Sequence, residues 1–477
     1  MDEVVCLWGY PEEELPSKEE CVRVVFGKKP FIDSAHTVYY DGLTCDLSAF
    51  AKICEEHVFQ AFSYRIHPGL SDFEKASASE WCKKCLAIEW QVQLMASRFQ
   101  DFGLKAYENF FKGANLSKDK SSFHRMKGLL KDVPAFICGA GPSLEEHVEH
   151  LKRTEGKGLI FAGGAALGYL AEKGVPVHLG GGIDPDPSRE RVLGENGFSS
   201  PFFYQNGFCH DVLEKIKAPL FRVPSNPEHP LRSWSEESET FDGGWTVSTF
   251  CFALALHFGC NPITLVGADL SYPIDGTMYA DGGTKGKSCS EIEWNDRESG
   301  LLKTKKDWVL AAGWLEEKIK ENPEVRFYTA SVKGLTVEGA QKTSFAELEE
   351  KELVGLIDCA ALTEKIRSLW TPAELETDRI SAITKSVEHS LLHVEVLLSL
   401  FEKYYPEDPT GKGHFALNLV ELEEETAHSL ILEPNWEVWR FPFERKIPDS
   451  YARLVNQLLF FKDVLEKYRM YSCNPDL

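Results

Sequence analysis

The chain reads as an α/β protein: a doubly wound, Rossmann-like central domain with a helical C-terminal region and a mixed α+β N-terminal region. Three observations predict this. Between Val133 and about Phe345, short apolar runs (AFICG, GLIFAGG, VHLGGGID, PFFYQ, ITLVGADL, VRFYTAS) alternate with stretches able to form helices. Fully apolar short strands between helices belong to a parallel sheet covered on both faces. After Phe345 almost every segment carries apolar residues at helical spacing. Before Lys131, β-like runs such as CVRVVFG and HTVYY give way to long helical patterns. The predicted divisions are 1–131, an α+β accessory region; 132–345, the Rossmann-like domain; and 346–477, a helical domain.

Each region has its own signals. SEWCKKCLAIEWQVQLMASRF puts Trp81, Cys85, Ile88 and Val92 on one helical face, and SKDKSS (Ser117 to Ser122) makes a polar break at the first boundary. The longest apolar run, Thr246 to Leu265, contains His257, Asn261 and Pro262. It is therefore read as a buried helix followed by a strand, not as a membrane span. In the last region FAELEEKELVGLIDCAALTEKIRSLW, ISAITKSVEHSLLHVEVLLSLFEKYY and SYARLVNQLLFFKDVLEKYRMY carry helical apolar faces. Pro406, Pro409 and Gly411 to Gly413 punctuate the first break between them, and EPNWEVWRFPFERKIP the second.

Composition narrows the function. With 477 residues, 43% hydrophobic, the chain has ample material for two or three packed cores. A net charge of -22 opposes non-specific nucleic-acid binding, which requires a basic surface to displace counterions. The same charge opposes docking on anionic lipid. MDEVVCLWGYPEEEL lacks the basic start and apolar core of a secretory signal, and 13 scattered cysteines fit a reducing, cytoplasmic location. Cys82 and Cys85 form a CxxC without a second pair at zinc spacing. They are read first as neighbours on one helical turn, with metal or redox use as the alternative.

The glycine turns carry the chemistry. In AFICGAGPSLEEHVEHL a strand runs into Gly139, Ala140, Gly141, Pro142 and Ser143, and a helix follows. Gly139 and Gly141 permit unusual backbone angles, Pro142 suits a first helical turn, and Ser143 can cap free amides. Such a turn would offer N–H groups to an anion at the carboxyl edge of the sheet. It is neither GxGxxG nor a Walker loop, and a purely structural turn remains the other reading. FAGGAAL repeats strand, glycines (Gly163, Gly164) and helix. GGGIDPDPSRE carries Asp184 and Asp186, able to hold a divalent cation or a ribose hydroxyl, or else to form turns and caps. GGWTVST opens a helix with Thr246 and Ser248, and LVGADLSY closes a strand with Asp269. Several such turns on one crevice favour a nucleotide or another phosphorylated ligand.

Three segments in order, PAFICGAGPSLEEHVEHL, GWTVSTFCFALALHFGCNPITLVGADLSYPIDGTMYADG and VRFYTASVKGLTVEGA, resemble the central domain of the MptE-like (DUF115) superfamily. That grouping includes the motility accessory factor (Maf) flagellin glycosyltransferases and archaeal 6-hydroxymethylpterin diphosphokinases. It is similar in fold to family 42 sialyltransferases. Resemblance to Maf implies transfer of a nonulosonic acid, a sialic- or pseudaminic-type sugar, from a CMP-activated donor to a protein or glycan hydroxyl, with no required cofactor. By that resemblance Gly139, Ala140, Gly141, Pro142, Ser143, Gly163, Gly164, Thr246 and Ser248 line the nucleotide crevice. Tyr272 and Tyr279 would stabilise the leaving phosphate, and Asp184 and Asp269 would bind a hydroxyl or take the acceptor proton.

The pattern also departs from the sialyltransferases. Ala140 and the pair Gly163 and Gly164 stand where they carry asparagines. No histidine lies between His257 and His389, so their general base does not carry over. Asp184, Asp269, or one of Glu291, Glu293 and Asp296 would have to serve, with His210 a weaker candidate. Glu338, in LTVEGA, also recurs in the family-like pattern and could cap or pair structurally. Resemblance to the pterin enzymes implies instead pyrophosphate transfer from ATP, with Mg²⁺ on Asp184 and Asp186. The helical flanks suit a macromolecular acceptor or a homo-oligomer. A third reading is a catalytically degenerate nucleotide-binding scaffold.

Overall fold

The computed structural model describes residues 3–17, 21–28, 36–113, 122–193, 197–224, 240–272, 291–331, 334–353, 355–370, 377–404, 414–434, 436 and 450–472. The chain divides into two compact units, one built on Met1–Asp101 and the other on Phe102–Glu437 and Ile447–Leu477.

In the first unit β1 (Glu3–Trp8), β2 (Val22–Gly27), β3 (His36–Tyr39) and β4 (Ala61–Ile66) form a sheet in the order β3-β2-β1-β4. Every pairing is parallel, a register that the short β-like runs did not specify. Helix α1 (Leu47–Glu56) starts where the Asp46 carboxylate accepts from the Ala49 amide at 3.0 Å, an N-cap that satisfies one of the orphan donors. Trp8 stacks on Phe26 with ring centroids 3.8 Å apart, and Phe50 of α1 joins them in the core. The long helix α2 (Asp72–Gly113) packs Cys85, Trp81, Ile88 and Val92 against that core, the face its spacing predicts.

The second unit carries a parallel sheet of eight strands, doubly wound as the alternating runs predict. In chain order its parts begin with α3 (Ser122–Arg125), β5 (Ala135–Cys138), α4 (Leu144–Arg153), β6 (Leu159–Gly163), α5 (Ala165–Glu172) and β7 (Leu179–Gly182). Then come α6 (Arg189–Leu193), β8 (Phe202–Gln205), α7 (His210–Leu213), β9 (Leu220–Val223), α8 (Val247–Phe258) and β10 (Ile263–Val266). A separate antiparallel hairpin, β11 (Glu291–Asp296) and β12 (Gly300–Lys305), leads to α9 (Lys306–Glu321), β13 (Phe327–Thr329) and β14 (Gln341–Lys342). Among the described residues five helices follow: α10 (Phe345–Lys351), α11 (Cys359–Arg367), α12 (Thr377–Tyr404), α13 (His414–Glu424) and α14 (Ser450–Ser472), with a π-helical turn at His428–Leu432.

The period of two along each strand builds two cores. Ala135, Ile137, Leu159, Phe161, Ile263 and Leu265 face one core with residues of α8, α9 and α11. Phe136, Cys138, Ile160, Ala162 and Val266 face the other with residues of α4, α5 and α10. The strand order is β14-β13-β10-β5-β6-β7-β8-β9. The chain therefore builds outward from β5 to β9, returns to place β10 on the opposite side of β5, and continues to β14. Adjacent β5 and β10 mark the topological switch point, beside whose carboxyl ends open α/β sheets hold their ligands.

Among the C-terminal helices, the Trp370 indole after α11 donates to the Leu220 carbonyl at 3.2 Å, and Arg367 to Ser199 at 2.9 Å. In the bundle the buried Ser386 hydroxyl of α12 donates to Glu425 at 2.6 Å and accepts from the Ala427 amide at 2.9 Å. Tyr468 of α14 donates to the Leu104 carbonyl of α2 at 3.3 Å. Among the described residues no helix is long and apolar enough to cross a membrane.

Candidate functional site

At the switch point two turns close on each other. After β5, the Gly139 amide donates to Val266 and the Gly141 amide to Gly267, both at 2.8 Å. Asp269, three residues past β10, accepts from the Ser143 amide at 2.9 Å and from its hydroxyl at 2.5 Å. The Ser143 hydroxyl lies 3.2 Å from that of Ser331, which follows β13. A Cβ at Gly139 would sit 2.6 Å from the Gly267 carbonyl, and one at Gly141 2.5 Å from the Asp269 carboxylate. The glycines are thus demanded by the approach of the β10 turn.

This corrects one expectation. Ser143 lies in the right-handed helical region and makes no capping bond; its hydroxyl serves Asp269 instead. The Leu144 amide donates to Gly141, and Pro142 has no amide to offer. The Asp269 carboxylate takes the Ser143 amide, while the Glu145 and Glu146 amides of the next turn have no acceptor among the described residues. Ala140 is half-buried against the second core. Asp269 itself is 4% exposed, and burial pushes its carboxyl up against the opposing pull of the Ser143 and Ser331 bonds.

One strand away the arrangement differs. Gly164 precedes α5 with φ of 54°, and a Cβ at Gly163 would strike both the Gly181 carbonyl and Val247, the first residue of α8. Thr246 caps α8 in a capping box: its hydroxyl accepts from the Thr249 amide at 3.2 Å, and the Thr249 hydroxyl accepts from the Thr246 amide at 2.9 Å. The Val247 and Ser248 amides have no acceptor among the described residues. They stand at the positive end of a 12-residue helix, over the Gly163–Gly164 turn and beside the Ser248 hydroxyl. That is a place for an anion. Gly163, Gly164, Thr246 and Ser248 are therefore brought together.

After β7, the Asp186 amide donates to the Asp184 carboxylate at 3.1 Å, an Asx turn. Asp184 is half-buried and Asp186 exposed. Their oxygen donors fit Mg²⁺ shared with phosphate oxygens. Asn109 near the end of α2, silent in sequence, organises this corner: its side-chain amide donates to Pro185 at 2.8 Å and Gly207 at 3.0 Å and accepts from the His210 amide at 3.2 Å. His210 is buried, which lowers its pKa, with Asp211 and Glu214 4.0 and 3.9 Å from its Nδ1. The triple glycine of β7 has a packing cause. Added Cβ atoms would meet Phe198 and Phe202 at Gly180, Phe250 and Cys251 at Gly181, and Phe208 at Gly182.

The hairpin carboxylates are differently placed. Asp296 accepts from the Glu298, Ser299 and Thr336 amides and the Thr336 hydroxyl, at 2.7–3.0 Å. Its carboxyl is held down at about 2 by these donors against burial, which acts the other way. It anchors a turn and has no spare role as a base. Glu293 is exposed. Glu338 pairs with Arg297 on the surface at 2.5 Å. The Tyr272 amide donates to Lys303 at 3.0 Å, and burial, then Glu291, pushes its phenol up. Tyr279 lies outside the described residues. His147, one turn into α4, is a residue that sequence reasoning passed over. Its Nε2 faces the Ala330 carbonyl at 3.2 Å, its buried Nδ1 has no partner among the described residues, and burial lowers its pKa.

Residues 105–275 match the family model described as 6-hydroxymethylpterin diphosphokinase MptE-like. A 6-hydroxymethyl-7,8-dihydropterin pyrophosphokinase of Methanocaldococcus jannaschii is 28% identical over 169 residues, which are 33% of this chain and 66% of the archaeal one. The chain thus spans just under two-thirds of that relative's length. The structure of a MAf glycosyltransferase from Magnetospirillum magneticum AMB-1 is similar in fold, with a TM-score of 0.53 at 16% identity over 91% of this chain and 70% of that one. The family match begins in α2 and ends past β10, so it takes in both glycine turns, the start of α8, Asp184 and Asp269. Over residues 105–275 the chain is similar to the MptE-like family.

Proposed function

We propose that the protein is a Maf-like glycosyltransferase, carrying a nonulosonic acid from a CMP-activated donor to a hydroxyl of a protein or glycan acceptor in the cytoplasm. The observation that supports it most is the reach of the fold likeness, 91% of the chain including the flanks, where the pterin enzyme accounts for 33%. In this reading the Val247 and Ser248 amides hold the donor phosphate, a fixed dipole aimed at charge that grows as CMP departs. The bond between the anomeric carbon and the phosphate oxygen breaks, and its electron pair leaves with CMP. The acceptor oxygen bonds to the anomeric carbon and yields its proton to a base. Asp269 has both oxygens committed to Ser143, so the base falls to Asp184 and Asp269 keeps the crevice in shape. The resemblance to the sialyltransferases would give Tyr272 and Tyr279 the stabilisation of the leaving phosphate, and the helical flanks would take the acceptor or a second copy of the chain.

The 28% identity to the archaeal enzyme favours a second reading, pyrophosphate transfer from ATP to a pterin-like alcohol. Asp184 and Asp186 would then hold Mg²⁺, which supplies charge neutralisation between the phosphates. Thermal unfolding with CMP, CDP, ATP and GTP, each with and without Mg²⁺, separates the two. A ligand at a hundred times its dissociation constant adds about 2.7 kcal/mol to stability. A rise in Tm with CMP or CDP in the absence of metal is the expected result. A rise confined to ATP with Mg²⁺ establishes the second reading, and no rise with any nucleotide leaves a scaffold.

A further inference from the structure

In the first unit, apart from every residue used above, three ligating side chains meet. His36 opens β3, and Glu56 and His57 close α1. The two Nε2 atoms lie 3.2 Å apart, with ring centroids 5.2 Å apart and planes at 84°. An oxygen of Glu56 comes within 4.8 Å of a ring nitrogen of each histidine. We propose that His36, His57 and Glu56 form a binding site for a divalent transition-metal ion of the zinc type.

The ring geometry carries the assignment. Two Zn–N bonds of about 2.0–2.1 Å at the tetrahedral angle place their nitrogens about 3.3–3.4 Å and their ring centres about 5.2 Å apart. A head-on N–H···N bond at the observed nitrogen spacing would set the centres about 5.5 Å apart. The two Nε2 atoms face each other at 3.2 Å, close to the spacing of two ligands on one tetrahedral ion. Two imidazole nitrogens and a carboxylate oxygen suit Zn²⁺ or Co²⁺ and not the hard cations Mg²⁺ or Ca²⁺. Glu56, 61% exposed, has an oxygen 3.9 Å from Nδ1 of His36 and would swing to the Nε2 side to join the ion, with water completing the tetrahedron. The ion would tie the edge strand β3 to the end of α1, so that its binding energy adds to the stability of this unit.

The test uses the full chain, freed of metal by a chelator that is then removed. Titration with Co²⁺ should raise the visible ligand-field absorption of tetrahedral cobalt to saturation at one equivalent, and Zn²⁺ should abolish it. Outer-shell partners of metal ligands are worth about 10- to 100-fold in affinity, so His36→Gln and His57→Gln should each cost at least that much. Glu56→Gln, at an exposed position that leaves folding intact, should weaken binding as well. His67→Gln, in the same unit but paired with Glu14, should leave it unchanged. Absence of a stoichiometric cobalt spectrum overturns the proposal. So does full affinity in His36→Gln and His57→Gln proteins with native circular dichroism, or loss of binding in Cys82→Ser in place of the histidine variants.

Discussion

The turn after β5 and the start of α8 lie at the same edge of one sheet, yet among the described residues a carboxylate of the chain is bonded into the first and none into the second. In GAGPSL the amides of Gly139, Gly141, Ser143 and Leu144 are all engaged, and Asp269 stands where an anion would sit. In GGWTVST the capping box between Thr246 and Thr249 satisfies the Thr246 and Thr249 amides and leaves those of Val247 and Ser248 without acceptors among the described residues. A glycine turn in sequence therefore does not say whether its glycines admit a ligand or a neighbouring strand. The deciding group can come from far along the chain: Ser143 and Asp269 are 126 residues apart.

The sharpest blow to the turn after β5 is Asp269→Ala. It strands the half-buried Ser143 amide and removes two bonds to a carboxylate, each worth about 1.5–3 kcal/mol, so urea unfolding should show a loss of about 3–5 kcal/mol. A result under about 1 kcal/mol would mean the turn is not held this way. Away from both regions, at the other end of the sheet, the His178 ring accepts from the Ile160 amide at 2.9 Å, and burial lowers its pKa from 6.5 to about 4. The native ring stays neutral while the unfolded ring protonates. Its contribution is complete above pH 6.5 and drains away between pH 6.5 and 4, on the order of 3 kcal/mol in all. His178→Gln should flatten that part of the pH profile and leave nucleotide binding unaltered.

Gly141→Ala, which sets a methyl 2.5 Å from the Asp269 carboxylate and 2.7 Å from the Gly267 carbonyl, should cost about 2–3 kcal/mol. Gly42→Ala makes a useful contrast, since its added Cβ meets nothing and its φ of 94° isolates the backbone cost. The smallest effect belongs to the start of α8. Thr246→Ala removes the cap of α8 and should lower stability by about 1 kcal/mol, measured in the same way.

Much of the fold was legible because its central strands are short, wholly apolar and spaced by helices. AFICG, GLIFAGG, PFFYQ, ITLVGADL and VRFYTAS all became strands of the parallel sheet. The hairpin EIEWND–GLLKTK was not, because it lies outside that sheet and carries charges on both strands. LFRV, the edge strand β9, was too short and too polar to announce itself. In the site, Thr246 and Ser248 showed through the cap signature of a helix start. The β7 glycines mark phenylalanine packing, and Asp296 looked available until its four donors were seen. Asn109 and His147 gave no local signal, for each acts on backbone brought near by folding.

The most direct test is the affinity for CMP of the native chain and of Val247→Pro, by titration calorimetry without added metal. Proline suits the first residue of a helix, and Thr246 before it is already extended, with φ of -137° and ψ of 165°. The substitution therefore deletes an amide that has no acceptor among the described residues while sparing the helix. The account predicts that the native chain binds CMP and that Val247→Pro, folded and within about 1 kcal/mol of native stability, binds it at least about tenfold more weakly. Equal affinity in the two proteins, or no CMP binding by the native chain, would contradict it.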